Sequence, residues 1–144
     1  MRYRRINALS LAQQAKRLRQ VQPKSKVRFD QRGNRLVWVG HLQPTVLSDK
    51  YRIRIEVKRS NQLKPDVFVE QPSLKDRDGA TIPHLYDRDS SRLCLWLPGH
   101  GEWTSAMWIA DSVLLWAAEW LFFYEIWYAT GEWHGGGEHP EIDG

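Results

Sequence analysis

Residues 105–129 place the strongest constraint on what this chain can fold into. They hold eight of the seventeen aromatic residues of the chain. Apolar residues recur there at alternating steps of four and three, which is the spacing of one helix face: Ile109, Val113, Trp116, Trp120, Phe123 and Trp127. Leu115, Ala118 and Phe122 form a second apolar face. A helix that is apolar on two sides is usually buried on two sides, so either the domain or a partner protein must cover it.

The ends and the charges of this segment favour a soluble helix over a membrane span. Thr104 or Ser105 can cap its start, and Gly131 marks its end. The segment is long enough to cross a bilayer. However, it contains three acidic residues, each of which costs roughly 2.5 to 3.5 kcal/mol near the bilayer centre: Asp111, Glu119 and Glu125. We therefore predict no membrane partner.

The remainder of the chain predicts an α+β fold. Residues 7–22 have the pattern of an amphipathic helix that Pro23 ends, with one apolar face formed by Leu11, Ala15 and Leu18, which Gln22 can extend. Four extended runs follow, at residues 27–29, 36–39, 51–57 and 67–69, and the third alternates strictly between apolar and charged residues. A helix followed by neighbouring strands predicts an antiparallel meander covered by helices. We assign residues 1–144 to one domain, with a basic N-terminus at 1–6 and a Gly-rich tail at 131–144.

Charge and cysteine content exclude several classes of protein. Residues 1–35 contain eleven Lys or Arg and one acid, whereas residues 101–144 contain eight acids and neither Lys nor Arg. The basic residues are not interleaved with aromatic residues, and the chain has no nucleic-acid module signature, so we predict no nucleic acid; the basic surface either binds a protein partner or is only solvated. One cysteine cannot form an intramolecular disulfide, and no signal peptide is visible; both features favour the cytoplasm.

Cys94 lies in a short apolar run, Leu93-Cys94-Leu95-Trp96-Leu97, within the polar stretch 73–104. Two interpretations of this cysteine stay open. A cysteine among leucines is often an inert apolar filler. Long irregular stretches, in contrast, are often functional, and then Cys94 is a nucleophile. A third alternative is a zinc site, but the paired Cys or His spacing of such sites is missing, so we predict no metal and no cofactor; its ligands would be His84, Cys94, His134 and His139.

The order of elements and motifs resembles the ubiquitin-conjugating enzyme family. In that family His-Pro-Asn precedes the nucleophilic cysteine, which follows the histidine by ten residues, and a Trp precedes the next helix. Here His84-Leu85-Tyr86 takes the place of His-Pro-Asn, Cys94 stands at the family's spacing, and Trp103 precedes the aromatic segment. The resemblance covers most of residues 7–129. It implies a ubiquitin-conjugating (UBC)-like fold with an N-terminal helix, an antiparallel β-meander, an active-site flap and a long C-terminal aromatic helix.

More narrowly, the chain is similar to prokaryotic members of that family found in antiphage (CBASS) operons beside cyclic-oligonucleotide synthases. Three motifs carry this likeness: Pro83-His84-Leu85-Tyr86 before the cysteine, Thr130-Gly131-Glu132-Trp133 after the helix, and Gly135-Gly136-Gly137-Glu138-His139-Pro140 in the tail. The likeness implies a cyclic-oligonucleotide synthase, a CD-NTase-like nucleotidyltransferase, as the partner.

The resemblance also implies a reaction, in which Cys94 carries a thioester and transfers its acyl group to lysine. A thiolate suits both steps because it is a strong nucleophile and a good leaving group. An unperturbed cysteine has a pKa of about 8.5, so some thiolate exists at neutral pH. Attack by the amine passes through an oxyanion, which needs a hydrogen-bond donor. Tyr86, which stands where the family has Asn, and backbone N–H groups around Cys94 are the candidate donors.

The other site residues follow from position. Asp87 or Asp89 is predicted to orient or deprotonate the incoming lysine. We expect His84 to fix the flap, as the family's histidine does, and His139 to approach Cys94 from the tail. A role without chemistry stays open for three of these residues, because Asp87 and Asp89 in a loop, and His139 in the tail, can also be solvated surface residues.

Two hypotheses about function result. In the first, Cys94 accepts the C-terminus of a ubiquitin-like modifier or of the partner synthase. The chain is too short to include an adenylating domain, so a separate activating enzyme is a further expected partner. In the second, the fold is a non-catalytic scaffold that clasps the synthase through the aromatic helix, with Trp120 and Phe122 as partner-binding residues and Cys94 incidental.

Overall fold

The computed structural model describes residues 7–96 and 103–135, in which two helices accompany one antiparallel sheet. The sheet has the strand order β1-β2-β3-β4-β6-β5. This architecture confirms the predicted α+β class and is consistent with a UBC-like fold. The elements in chain order are α1 (Leu11–Val21), β1 (Lys26–Asp30), β2 (Arg35–Leu42), β3 (Tyr51–Lys58), β4 (Pro65–Gln71), β5 (Leu85–Asp87), β6 (Arg92–Leu93) and α2 (Val113–Thr130).

Helix α1 begins four residues later than predicted, because Ser10 caps it. The Ser10 hydroxyl accepts a hydrogen bond from the Gln13 N–H, and the Gln13 side chain accepts one from the Ser10 N–H. This reciprocal pair satisfies two backbone donors that would otherwise lack partners at the helix start. Leu11, Ala15 and Leu18 are buried as predicted.

The meander places one face of the sheet against the helices. All eight residues of β2 pair with β3 in antiparallel register, from Arg35 with Lys58 to Leu42 with Tyr51. The alternation in β3 buries every second residue. Because successive side chains on a strand point to opposite faces, these residues share the core side of the sheet: Tyr51, Ile53, Ile55 and Val57. Trp38 packs in the same core with no exposed surface.

The start of the long helix was predicted wrongly, since α2 begins at Val113 rather than at residue 105. The cause is buried Gln14, whose amide donates to the Met107 carbonyl (2.8 Å) and accepts from the Ile109 N–H (2.9 Å). These backbone groups therefore bond to α1, and only a short 3-10 turn, Ile109–Asp111, forms before α2. Helix α2 ends at Gly131 with a left-handed backbone, as predicted. Neither described helix is long and apolar enough to cross a membrane.

The stretch predicted to be irregular contains a small hairpin. Strands β5 and β6 pair with each other, Leu85 opposite Leu93, and β6 joins β4 through Arg92 and Phe68. Strands of three and two residues are too short to show a periodicity in sequence. This hairpin sets the geometry of the site, because Cys94 directly follows β6 and His84 directly precedes β5.

Candidate functional site

The backbone of His84 fixes the position of Cys94. The His84 carbonyl accepts hydrogen bonds from the Cys94 N–H (2.9 Å) and from the indole N–H of Trp120 on α2 (3.1 Å). One carbonyl thus joins the end of the hairpin to the helix. His84 adopts a left-handed backbone with φ of 57°, which is uncommon for residues other than glycine. The close pairing of His84 and Cys94 therefore depends on a local conformation that the packing around it has to maintain.

Cys94 lines a cavity that opens to the surface. Its side chain is buried with 8% exposure, and its sulfur lies 3.9 Å from the Trp96 carbonyl oxygen. The sulfur is therefore neither sealed in the core nor displayed on an open rim. The cavity has a volume of about 450 Å³, and its walls are mostly aromatic; they consist of His84, Cys94, Leu95, Trp116, Glu119, Trp120, Phe123, Trp133 and Gly135.

Tyr86 brings a neutral hydroxyl group to the same place. Its O–H donates to the Trp96 carbonyl at 2.6 Å, the carbonyl that Cys94 also approaches. Burial, followed by the hydrogen bond and charge of Cys94, raises the pKa of Tyr86. The phenol therefore stays protonated at neutral pH and keeps its capacity to donate. The guanidinium of Arg92 lies over the Tyr86 ring, 4.9 Å from its centre, and holds the ring in place.

Asp87 and Asp89 lie at the opposite end of the hairpin from Cys94. The Asp87 carboxylate accepts hydrogen bonds from the Asp89 N–H (3.2 Å) and from the Ser90 hydroxyl (2.6 Å). The Ser90 hydrogen bond lowers the pKa of Asp87, which is therefore a turn-stabilising carboxylate. Neither acid is among the described residues that line the cavity. Their role toward lysine stays a prediction, and so does the role of His139, which lies outside the described residues.

The two predicted partner-binding residues lie on different sides of α2. Trp120 is 4% exposed and packs in the core and the cavity wall, whereas Phe122 is 40% exposed. The buried side of the helix thus differs from the predicted one, since Trp116 and Phe123 are only half-buried and face the cavity. The residues that the helix buries are Val113, Leu114, Ala117, Trp120, Leu121, Tyr124 and Trp127.

Of the nine described residues that line the cavity, the sequence assigned three to a site, namely His84, Cys94 and Trp120, and the other six were missed. Two of the six, Trp116 and Glu119, carry a readable signal, because a carboxylate within an aromatic stripe spaced by three and four residues marks a helix face that is neither core nor plain surface. Trp133 was noted only as the last residue of a motif, and its place in the fold could not be read from sequence because the chain reverses at Gly131 before reaching it.

No group of three or more side chains able to hold a metal ion occurs within residues 7–96 and 103–135. Of the four residues considered for zinc, His84 and Cys94 lie together at the cavity. His134 is exposed, and its Nε2 lies 3.6 Å from the Glu132 carboxylate.

Comparison with known proteins gives one family. The model of a family described as type II CBASS E2 protein matches residues 14–140, which include the sheet, the hairpin, the cavity and α2. No curated protein matches the chain.

Proposed function

The chain belongs to the type II CBASS E2 protein family, and from this premise we propose that it is an acyl transferase of an antiphage defence system. In this proposal Cys94 carries the C-terminal acyl group of a ubiquitin-like modifier, or of the partner synthase, and transfers it to lysine. The observation that carries the proposal is the position of Cys94, which lines an open cavity and whose backbone is held by His84. The cytoplasm, where thiols stay reduced, is the proposed location.

The proposed reaction has two steps. First, the Cys94 thiolate attacks the acyl carbon of a thioester on an activating enzyme; the new C–S bond forms, and the enzyme's own sulfur leaves as a thiolate. Second, a neutral lysine amine attacks the same carbon, an amide bond forms, and the C–S bond to Cys94 breaks. The amine loses one proton, which a nearby carboxylate or the departing Cys94 thiolate takes up.

Tyr86 is the proposed donor to the oxyanion of the second step. Its hydroxyl is protonated, lies beside the sulfur and needs only to turn away from the Trp96 carbonyl to reach an acyl oxygen on Cys94. Removal of a single such donor costs on the order of 3 kcal/mol of transition-state stabilisation in other acyl-transfer enzymes.

Glu119 is a better-placed acid for lysine than Asp87 or Asp89. Its exposed carboxylate lines the cavity that contains Cys94. A carboxylate at a cavity mouth attracts a lysine ammonium group and can accept a proton from it as the amine attacks. We therefore assign lysine orientation to Glu119, with Asp87 and Asp89 as the alternative predicted from sequence.

The scaffold hypothesis has its own supporting observation. Leu115 is 57% exposed and Phe122 is 40% exposed, and both lie on α2 beside the cavity wall. Such an apolar stripe is suited to a protein partner, whether or not Cys94 reacts. A surface that binds the synthase is also compatible with transfer, because it would bring the acyl donor or the lysine acceptor close to Cys94.

The test is the trapping of a thioester on the protein. The wild type and the variants Cys94→Ala and Cys94→Ser are incubated with the activating enzyme, ATP and the acyl donor of the same operon. We expect a thiol-cleavable adduct on the wild type, a thiol-resistant oxyester on Cys94→Ser, and no adduct on Cys94→Ala. If the wild type forms no adduct and Cys94→Ala still protects cells from phage, the scaffold hypothesis replaces the transferase.

A further inference from the structure

The segment that follows α2 turns back onto the cavity. Gly131 ends the helix with φ of 86°, and its N–H donates to the Trp127 carbonyl at 2.7 Å. Two residues later, the Trp133 ring packs against rings that line the cavity. The centre of its ring lies 4.9 Å from that of His84, 5.4 Å from that of Trp120 and 6.1 Å from that of Phe123.

Gly135 packs against Trp133 from within the same segment. A Cβ atom at Gly135 would lie 2.7 Å from the indole nitrogen of Trp133 and 2.8 Å from Cδ2 of Phe123, both too close for real contacts. The chain therefore passes directly along the two rings and leaves no room for a side chain. Trp133 is thus held by the three rings of the cavity wall and by the backbone of Gly135.

Trp133 and Cys94 line the same cavity, and Cys94 is only 8% exposed. The indole contacts His84, whose carbonyl positions the Cys94 backbone. Two walls of the cavity, α2 and the hairpin, are joined by the hydrogen bonds of the His84 carbonyl. The wall that includes Trp133 follows the C-terminal end of α2, and its indole packs against the rings of the other walls.

We propose that Trp133 restricts access to Cys94 by filling the side of the cavity that is formed by the segment after α2. The indole narrows the approach to the sulfur, so bulky reagents are slowed more than slender ones. If Cys94 carries a thioester, as proposed above, the acyl chain occupies the remaining approach, and the indole beside it then keeps water from the acyl carbon. In hydrolysis, water oxygen attacks the acyl carbon, the C–S bond breaks, and a carboxylic acid leaves with the thiol restored. Trp133 therefore favours transfer to lysine over this loss.

Alkylation of Cys94 tests the steric part without any acyl donor. Because the chain contains one cysteine, each labelled molecule reports on this site alone. The rates with iodoacetamide and with a bulky maleimide are measured by mass spectrometry for the wild type, Trp133→Ala, Trp133→Phe and Trp108→Ala. Trp108 is the matched control, since it is a 38% exposed tryptophan that does not line the cavity.

We expect Trp133→Ala to label about tenfold faster with the bulky reagent, because thiol reactions depend on access as well as on the thiolate fraction. The labelling rate of Trp133→Phe should lie between those of the wild type and Trp133→Ala, and Trp108→Ala should label at the wild-type rate. Gly135→Ala keeps the indole but forces Trp133 or Phe123 to move, so it should also label faster. It serves as the second variant if Trp133→Ala is unfolded by circular dichroism. Rates within twofold of the wild type for every folded Trp133 and Gly135 variant overturn the proposal.

A second measurement separates this inference from the proposed function. In single-turnover reactions with the trapped thioester, Trp133→Ala should raise the ratio of hydrolysis to lysine transfer. If the wild type forms no thioester but Trp133→Ala labels faster, the transferase proposal fails and the access role stands. If the thioester forms and Trp133→Ala changes neither labelling nor hydrolysis, the access role fails and the transferase proposal stands.

Discussion

Tyr86 stands where the ubiquitin-conjugating family has Asn, and the chemistry of the two side chains differs. An amide offers two N–H donors in a fixed plane, whereas a phenol offers one O–H that rotates about its C–O bond. In this protein the ring is held by Arg92, and the hydroxyl lies at the Trp96 carbonyl. In the proposed reaction, rotation of the hydroxyl about its C–O bond would allow Tyr86 to exchange the Trp96 carbonyl for an acyl oxygen as its acceptor.

The variant Tyr86→Phe tests this role, because it removes the hydroxyl and keeps the ring. We expect thioester formation on Cys94 to persist, while the rate constant for lysine transfer falls by about 10²-fold, the effect of losing one oxyanion donor. Single-turnover discharge to free lysine measures that rate constant. Tyr128→Phe serves as the matched control, since Tyr128 is 46% exposed and does not line the cavity. Transfer by Tyr86→Phe at the wild-type rate would assign the oxyanion to backbone N–H groups instead.

Three tyrosines, two of them buried and one half-buried, make the stability of the protein sensitive to alkaline pH. Burial raises the pKa of Tyr51, Tyr86 and Tyr124, and the Glu125 carboxylate raises that of Tyr51 further. Above about pH 10 the unfolded chain loses these protons while the folded chain keeps them, so the free energy of unfolding falls as pH rises. Their stabilising effect is therefore complete below pH 10 and is lost above it.

Chemical unfolding at pH 8, 10 and 11 measures this loss. We expect Tyr51→Phe to flatten the decline, because one titrating group is removed. The limit for one proton is about 1.4 kcal/mol per pH unit, and it is reached only where the unfolded chain has lost the Tyr51 proton while the folded chain still holds it. An unchanged decline in Tyr51→Phe would show that the Tyr51 pKa is the same in both states.

At the scale of elements, Glu125 ties the loop after β2 to helix α2. Its carboxylate accepts hydrogen bonds from the Ser48 hydroxyl (2.6 Å) and from the Tyr51 hydroxyl (2.9 Å). From the sequence, the charge of Glu125 served only to favour a soluble helix over a membrane span. In the fold, it is one of the polar links that hold the long helix in place.

We expect Glu125→Ala to lower the free energy of unfolding by on the order of 2 kcal/mol, since it leaves two hydroxyls without their charged acceptor. Glu119→Ala is the matched control on the same helix, because Glu119 is exposed, and its effect on stability should stay within about 0.5 kcal/mol. Urea denaturation of both variants at pH 7 gives the comparison. Equal stabilities would mean that water replaces the carboxylate without cost.

Periodicity identified the elements more reliably than their limits. The strict alternation of residues 51–57 predicted β3, because a strand covered on one face needs that pattern. The start of α2 was misplaced because the side chain of Gln14, 93 residues away from Met107 in sequence, binds the backbone there. The β5–β6 hairpin was missed because its strands are extended through pairing with β4, and the residues of such short strands show no strand pattern of their own.

At the scale of the whole molecule, the sequence predicted only those site residues that lie close together along the chain. The spacing of His84 and Cys94 implied their adjacency through the family resemblance, and the hairpin brings them together. Glu119 and Trp133 reach the cavity from α2 and from the reversal after it, so their positions depend on the packing of the helix against the hairpin. A single sequence does not encode that packing in any short motif.

The exposed stripe of α2 allows catalysis and partner binding to be separated in the intact protein. We expect Leu115→Glu/Phe122→Glu to weaken binding to the synthase at least about tenfold, because two exposed apolar side chains at an interface are replaced by charges that a partner would have to desolvate. Phe29→Glu is the control, since Phe29 is 45% exposed but belongs to strand β1 at the far edge of the sheet from the hairpin.

Isothermal titration with the purified synthase measures the affinity, and iodoacetamide labelling of Cys94 shows whether the cavity is intact in each variant. The Leu115→Glu/Phe122→Glu protein should label like the wild type because neither side chain lines the cavity. If it binds the synthase as tightly as the wild type while Phe29→Glu does not, the partner lies on β1, and α2 acts only as the wall behind Cys94. If the stripe variant alone loses binding, the synthase contacts the helix that also bears Glu119, so partner binding and acyl transfer share one surface of the molecule.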